Sequence, residues 1–184
     1  LAAGDTSGAI APYERIVGAN PDLAEIQGRL GYLLGNAGRL AEAEAAYRRA
    51  VSVQPRNVSL RSNLALALAR SKAMSVAKDF ANAIVIGSDQ IVWYEGRVLG
   101  KPGTKERAWQ ELSTLRGRTH EVYTAITVID LETGRMITDL ACSAVPMRGY
   151  TDAEIEDYIA SADPFDKAGA NAIQHPGLQP PETF

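Results

Sequence analysis

Ala83-Ile84-Val85-Ile86, followed by Gly87-Ser88-Asp89-Gln90 and then Ile91-Val92-Trp93-Tyr94, is the stretch that decides the fold. A short, wholly apolar run reads as a buried strand. Gly87 to Gln90 reads as an interruption, which places Asp89 in a Gly-Ser turn at a strand tip, and Ile91 resumes the strand. Glu95-Gly96 suits a tight hairpin turn back into Val98-Leu99. Downstream, Gly100-Lys101-Pro102-Gly103 makes a loop, and Thr104 caps a helix whose Ala108, Leu112 and Leu115 share one face. Gly117 ends that helix. His120 to Ile129 and Met136 to Met147 read as long strands around a Glu132-Thr133-Gly134 turn. Thr151-Asp152-Ala153-Glu154 is a capping box for a helix that Asp163-Pro164 stops. The tail from Asp166 to Phe184 is rich in Gly and Pro and reads as irregular. This half of the chain reads as mixed α and β, an α/β domain.

The upstream half has a different composition. Residues 1–78 hold 17 Ala and nine Val, Ile or Thr, whereas residues 79–184 hold 12 Ala and 24 Val, Ile or Thr. Alanine favours helix and β-branched residues favour strands, so the first part is expected to be all-helical. A shift of 34 residues superposes Ala9 on Ala43, Tyr13 on Tyr47, Pro21 on Pro55, Leu30 on Leu64 and Leu34 on Leu68. Small residues at fixed places let antiparallel helices approach, an aromatic fills the gap, and a proline ends the second helix. The pattern resembles the tetratricopeptide repeat. Its complete unit is Ala24–Asn57, with Gln27 where a Trp is usual and Leu34 where a Tyr is usual. A weak helix over Thr6–Ala19, carrying Gly8 and Pro12, precedes it, and a helix over about Val58–Lys78 follows. Tyr13, Tyr47 and the leucines read as core. Repeat helices of this kind offer a groove to a protein or peptide partner. One and a half to two repeats fall short of the roughly three that make an independent solenoid, so the helices must cap something or continue a longer array. The domain reading is repeats over 1–68 and a second domain over 69–184.

Whole-chain properties narrow the function. Apolar residues are 46% and charged residues 22% of 184, and the net charge is −3. That balance excludes a general polyanion binder, so no nucleic-acid partner is expected. One cysteine, Cys142, excludes an internal disulfide framework, and His120 and His175 are too few and too far apart for a His-based metal motif. No apolar run approaches the length of a membrane span, and the start lacks a signal-peptide pattern. The expectation is a cytoplasmic protein, and a fragment of a longer one.

Candidate chemistry is sparse. Asp89 at a strand tip is placed as active groups of α/β proteins often are. The chain has five lysines, and Lys72, Lys101 and Lys167 stand beside glycine- or alanine-rich segments. A lysine is a point charge suited to phosphate. In Asp166-Lys167-Ala168-Gly169-Ala170 the small residues would let the backbone approach a ligand.

In order along the chain stand Lys72-Ala73 with Val76-Ala77, Ile86-Gly87-Ser88-Asp89-Gln90, Leu99-Gly100-Lys101-Pro102, Gly117-Arg118-Thr119-His120-Glu121-Val122-Tyr123-Thr124-Ala125, Tyr150 to Tyr158, and Asp166 to Ala170 with Ile173-Gln174. This series resembles the Maf family of nucleoside triphosphate pyrophosphatases over about residues 63–178. The resemblance implies a mixed α/β fold with a cleft between two lobes. It also implies hydrolysis of a nucleoside triphosphate to monophosphate and pyrophosphate with a divalent cation, Mg or Mn. By the same resemblance Asp89 is the proton acceptor and metal-associated acid, Lys72 and Lys101 contact phosphate, and Gln90 and Gln174 set base preference. Members resembling the dTTP/UTP group usually carry Thr after the Asp and Gln later, whereas the 7-methyl-GTP group carries Gln and then Glu. Gln90 with Gln174 is a mixture, although residues 97–178 look more like the first group.

Two features depart from the family. Nothing in residues 1–71 matches its Ser-x-Ser-x-Arg-Arg loop, since the repeat helices occupy that place, and its closing strand and Gly-Leu-Pro segment are not present. A missing central strand would expose apolar surface, and missing arginines would weaken triphosphate binding. The expectation is a recognisable pyrophosphatase scaffold with impaired or absent activity. The alternative is a tetratricopeptide-type interaction module with a degenerate enzyme domain.

Overall fold

The computed structural model describes residues 6–170. Four helices come first: α1 (Thr6–Ala19), α2 (Ala24–Asn36), α3 (Leu40–Val53) and α4 (Val58–Ala77). They are followed by β1 (Ile84–Tyr94), β2 (Arg97–Leu99), α5 (Lys105–Leu115), β3 (Thr119–Asp130), β4 (Met136–Pro146) and α6 (Asp152–Ala162). Two short 3-10 turns, Pro164–Asp166 and Ala168–Ala170, close the described chain. The four strands form one sheet in the order β2-β1-β3-β4. The architecture is the expected α/β class preceded by tetratricopeptide-like helices. No helix among the described residues is long and apolar enough to cross a membrane.

The chain forms two compact units. One comprises residues 1–89 and 124–141, the other residues 90–123 and 142–184. β1, β3 and β4 each contribute one end to each unit, and the 68/69 boundary read from the sequence falls inside α4.

In the first unit the period of 34 is visible as packing. Ile10, Leu30, Leu34, Ala43 and Ala46 form one core, with Tyr13 and Val17 packed against it, and Tyr47 is buried. The position that usually carries Trp holds a buried polar donor instead, twice over. Gln27 Nε2 donates to the Pro21 carbonyl at 3.1 Å, and Arg61 Nη1 donates to the Pro55 carbonyl at 2.9 Å. Each therefore ties a helix to the proline that closes the preceding turn, and burial without a partner would be costly there.

α4 begins with an Asn57 cap, whose side chain accepts from the Leu60 amide at 3.2 Å. Its later turns leave the repeat and cover the sheet. Ala73 and Ala77 pack with Val85 and Ile129, and Leu131 and Met136 close the edge of this second core. Alanines four apart present a shallow helix face, so the backbones come close. A Cβ on Gly87 would stand 2.5 Å from both the Ala69 carbonyl oxygen and the Ala73 amide nitrogen.

This contact corrects the sequence reading of residues 87–90. They are not a turn; β1 runs unbroken from Ile84 to Tyr94. Gly87 is glycine because α4 lies on it, and the Ser88 hydroxyl donates to the Ala125 carbonyl at 2.9 Å. Turn-type residues were used here for close approach and hydrogen bonding within an extended chain. Asp89 accordingly stands within a strand and not at its tip. The opposite face of this end of the sheet is uncovered. Ile84, Ile86, Ile126 and Ile137 are 61%, 64%, 39% and 53% exposed.

In the second unit the Glu95-Gly96 turn has positive φ at both residues, 43° and 89°, and β1 and β2 pair antiparallel with Val92 opposite Leu99. Thr104 caps α5 by accepting from the Arg107 amide, and Thr151 and Glu154 form the expected capping box. Leu112, Leu115, Tyr150, Ile155, Tyr158 and Ile159 make the core with Val92 and Leu99. The Tyr150 hydroxyl donates to the Leu112 carbonyl at 2.6 Å, joining the segment before α6 to α5.

Candidate functional site

The first unit brings together two of the residues singled out from the sequence. Lys72, on the last two turns of α4, forms an ion pair with Asp89 on β1. The pairing follows from local structure. The Ala69–Ala73 contact with Gly87 lays α4 along β1, and Lys72 and Asp89 lie next to those contacts in sequence. The Asp89 side chain is 17% exposed and that of Lys72 57%. The acid is thus largely withdrawn into the protein while the ammonium reaches it from the solvent side. A half-exposed lysine on a flexible stem exchanges one anion for another readily, because its charge is compact and its geometry undemanding.

Lys101 belongs to the second unit and is exposed, in the loop after β2. Two backbone hydrogen bonds strap this loop to the segment 165–169. The Gly103 amide donates to the Phe165 carbonyl at 3.0 Å, and the Gly169 amide donates to the Gly100 carbonyl at 2.9 Å. The strap gathers Lys101, Asp166 and Lys167. The Asp166 carboxyl is held below the usual carboxylate range by the Lys167 ammonium, with a further through-space contribution from Lys101. Gln90 follows Asp89 in β1 and is exposed. Gln174 lies outside the described residues.

Two features were not selected from the sequence as site elements. Asp166 was noted for the backbone around it, not for its charge; 66 positions separate Lys167 from Lys101, and only the fold joins them. The second is His120, which is 1% exposed, with both ring nitrogens lacking a hydrogen-bond partner. Burial alone pushes its pKa from 6.5 down to about 4. The folded chain therefore holds His120 neutral, while the unfolded chain protonates it on passing below 6.5. Between those values the unfolded state binds more protons, so stability falls as pH drops and levels off beneath about 4. The urea midpoint of the wild type is expected to decline over this window relative to His120→Leu, and parallel profiles would show that the histidine does not carry the effect.

No group of three His, Cys, Asp or Glu residues among the described residues could enclose a metal ion. Asp89 is a single carboxylate already paired with an ammonium. That donor set fits a hard divalent cation arriving with substrate phosphates, since Mg²⁺ is commonly bound through one or two carboxylates plus phosphate oxygens.

Comparison with known proteins bears on this arrangement. The model of the Maf-like protein family matches residues 33–180, and a tetratricopeptide repeat model matches residues 1–60. The chain is 46% identical over 114 residues to the dTTP/UTP pyrophosphatase of Carboxydothermus hydrogenoformans, covering 62% of this chain and 61% of that protein. It is 41% identical over 116 residues to the dTTP/UTP pyrophosphatase of Bacillus mycoides, covering 63% and 60%. The same activity names a Clostridium botulinum relative that is 40% identical over 116 residues, covering 61% and 60%. The chain spans about three fifths of the length of these curated relatives. With a match over residues 33–180 of 184, the chain belongs to the Maf-like family.

Proposed function

We propose that this chain carries the catalytic apparatus of a nucleoside triphosphate pyrophosphatase acting on a pyrimidine nucleotide, dTTP or UTP. The observation that carries the reading is the Lys72–Asp89 pair, a withdrawn carboxylate with a displaceable ammonium. The relatives named dTTP/UTP pyrophosphatase support the reaction and the base class.

The chemistry requires water to attack the α-phosphorus. A new P–O bond forms, the bond from the α-phosphorus to the bridging oxygen breaks, and pyrophosphate leaves. Asp89 accepts the proton that the water loses. Lys72 passes from the carboxylate to a phosphate oxygen as substrate arrives, which frees the base and supplies positive charge in one movement. Lys101 supplies charge to a phosphate oxygen as well, and a preorganised cation is most effective where charge develops. Mg or Mn, bound with the triphosphate and contacting Asp89, would supply further neutralisation of phosphate charge. Gln90 and Gln174 are the residues proposed to read the base by hydrogen bonding. The catalytic division of the chain is taken as 69–184, and a nucleotide substrate supports the reading of a cytoplasmic protein.

Residues 1–71 offer no Ser-x-Ser-x-Arg-Arg loop. Each bidentate arginine–phosphate contact so forgone is worth roughly 1.5–3 kcal/mol, so turnover by this chain is expected to be slow. Release of pyrophosphate and monophosphate from dTTP, UTP and 7-methyl-GTP with Mg²⁺ tests the assignment. The expected order is dTTP and UTP above 7-methyl-GTP. Preference for 7-methyl-GTP would reverse the base assignment, and fast turnover would show that the arginines are replaced.

A second reading is favoured by a groove of about 250 Å³ on the repeat helices, lined by Tyr32, Asn36, Tyr47, Asn63 and Arg70. In it the chain is an interaction module that binds a peptide partner, and the enzyme domain is degenerate.

A further inference from the structure

The end of the sheet that belongs to the first unit has one covered face and one bare face. Val85, Ile129 and Met136 pack with the alanines of α4. Side chains alternate along a strand, so Ile84 and Ile86 of β1, Ile126 and Val128 of β3, and Ile137 and Asp139 of β4 stand on the other face. Val128 is half-buried and the rest are exposed. The Asp130 amide donates to the Arg135 carbonyl at 2.9 Å, and the Met147 amide donates to the Arg118 carbonyl at 2.9 Å. Both bonds fit one antiparallel register, which sets Val128 beside Ile137 and Ile126 beside Asp139. The bare face is thus isoleucine and valine from three strands.

Its β4 margin carries one charge of each sign. Arg135 and Asp139 are exposed, and neither belongs to an ion pair among the described residues. Ile137 stands midway between them. A two-fold axis through Ile137, lying across the strands, exchanges the two charges and sets each against its opposite in a second copy. Sheets packed face to face interdigitate their side chains about 10 Å apart, a gap that two long or charged side chains bridge. The outer edge of β4 is a poorer contact. In the register above the even-numbered residues of β4 turn their amides to that edge, and the Asp139 carboxylate already accepts from the Leu140 amide at 2.8 Å.

We propose that the first unit associates with a second copy of this chain through the bare isoleucine face, with Arg135 of each copy against Asp139 of the other. The proposal is independent of the pyrophosphatase reading and of any partner of the repeat helices. A handful of side chains from each copy makes a small interface, so the dimer is weak, with a dissociation constant on the order of tens of micromolar.

Sedimentation velocity of the full chain from about 5 μM to about 500 μM tests it. The expected result is a mass that rises from one chain towards two across that span. Ile86→Lys and Ile126→Lys lie on strands inside the β4 edge, and each should weaken association about tenfold or more, because a buried ammonium in the contact has no partner. Arg135→Asp and Asp139→Arg should each weaken it about fivefold, and a mixture of these two variants should recover it, since each supplies the charge that the other lacks. Unaltered thermal midpoints show that the variants are folded. A wild type that stays single at the highest concentration would overturn the proposal. Dimers that survive Ile86→Lys would move the contact to the β4 edge, and dimers indifferent to the charge variants would overturn the axis through Ile137. A single wild-type chain that pairs only after removal of residues 171–184 would give the face to that segment and not to a second copy.

Discussion

Asp89→Asn is expected to lower pyrophosphate release from dTTP by about two to four orders of magnitude, the range that a positioned general base supplies. The loss should fall on kcat, because the amide keeps the shape of the acid but cannot take the proton from water. Stability should hardly change. The Lys72 side chain is 57% exposed, and such half-exposed ion pairs contribute about 0–1 kcal/mol. The two measurements together are decisive, since an inactive variant with a wild-type thermal midpoint isolates the chemistry. Retained turnover would remove Asp89 from the mechanism. Lys72→Met, with its base unpaired but present, should instead raise KM more than it lowers kcat, because it loses a contact made to substrate as well as to the transition state.

Gly87→Ala should destabilise the first unit strongly. Its new methyl group would stand 2.5 Å from two backbone atoms of α4 and 2.7 Å from the Ala73 Cβ. No side-chain rotation relieves a clash with backbone, so α4 or β1 must shift. Overpacking of this kind costs roughly 1–3 kcal/mol and sometimes more, which for a chain of this size is about 2–4 °C in Tm per kcal/mol. Because Lys72 and Asp89 flank the displaced contact, the shift should also part the ion pair and lower turnover in molecules that remain folded. A thermal melt and an assay well beneath the midpoint separate the two effects. A melt like that of the wild type would show that the helix and strand are looser than their spacing indicates.

The repeat was readable because its signal is periodic. Tyr47, Ala43 and Pro55 recur at a spacing that only stacked helices satisfy, and the caps at Thr104 and Thr151 are local devices completed within three residues. What escaped the sequence is what tertiary contact decides. Gly87-Ser88 has the chemistry of a turn, and only the arrival of α4 from ten or more residues upstream makes it a strand. Lys72 and Asp89 were selected separately, for phosphate and for a proton, and nothing local announces that they pair. The Lys101, Asp166 and Lys167 cluster depends on two backbone hydrogen bonds across a long loop closure. His120 reads as one more strand residue until burial leaves its nitrogens unmet.

Helical arrays normally finish on a dedicated end piece with a polar outer surface. α4 has none on the side of Ala69, Ala73 and Ala77, because Val85, Gly87 and Ile129 lie there. The sheet is the stopper of the solenoid, and the solenoid's last helix is the lid of the sheet. Fraying of the array therefore uncovers the strand that bears the acid, and a force applied to the repeats is transmitted along one unbroken rod to the ammonium beside it.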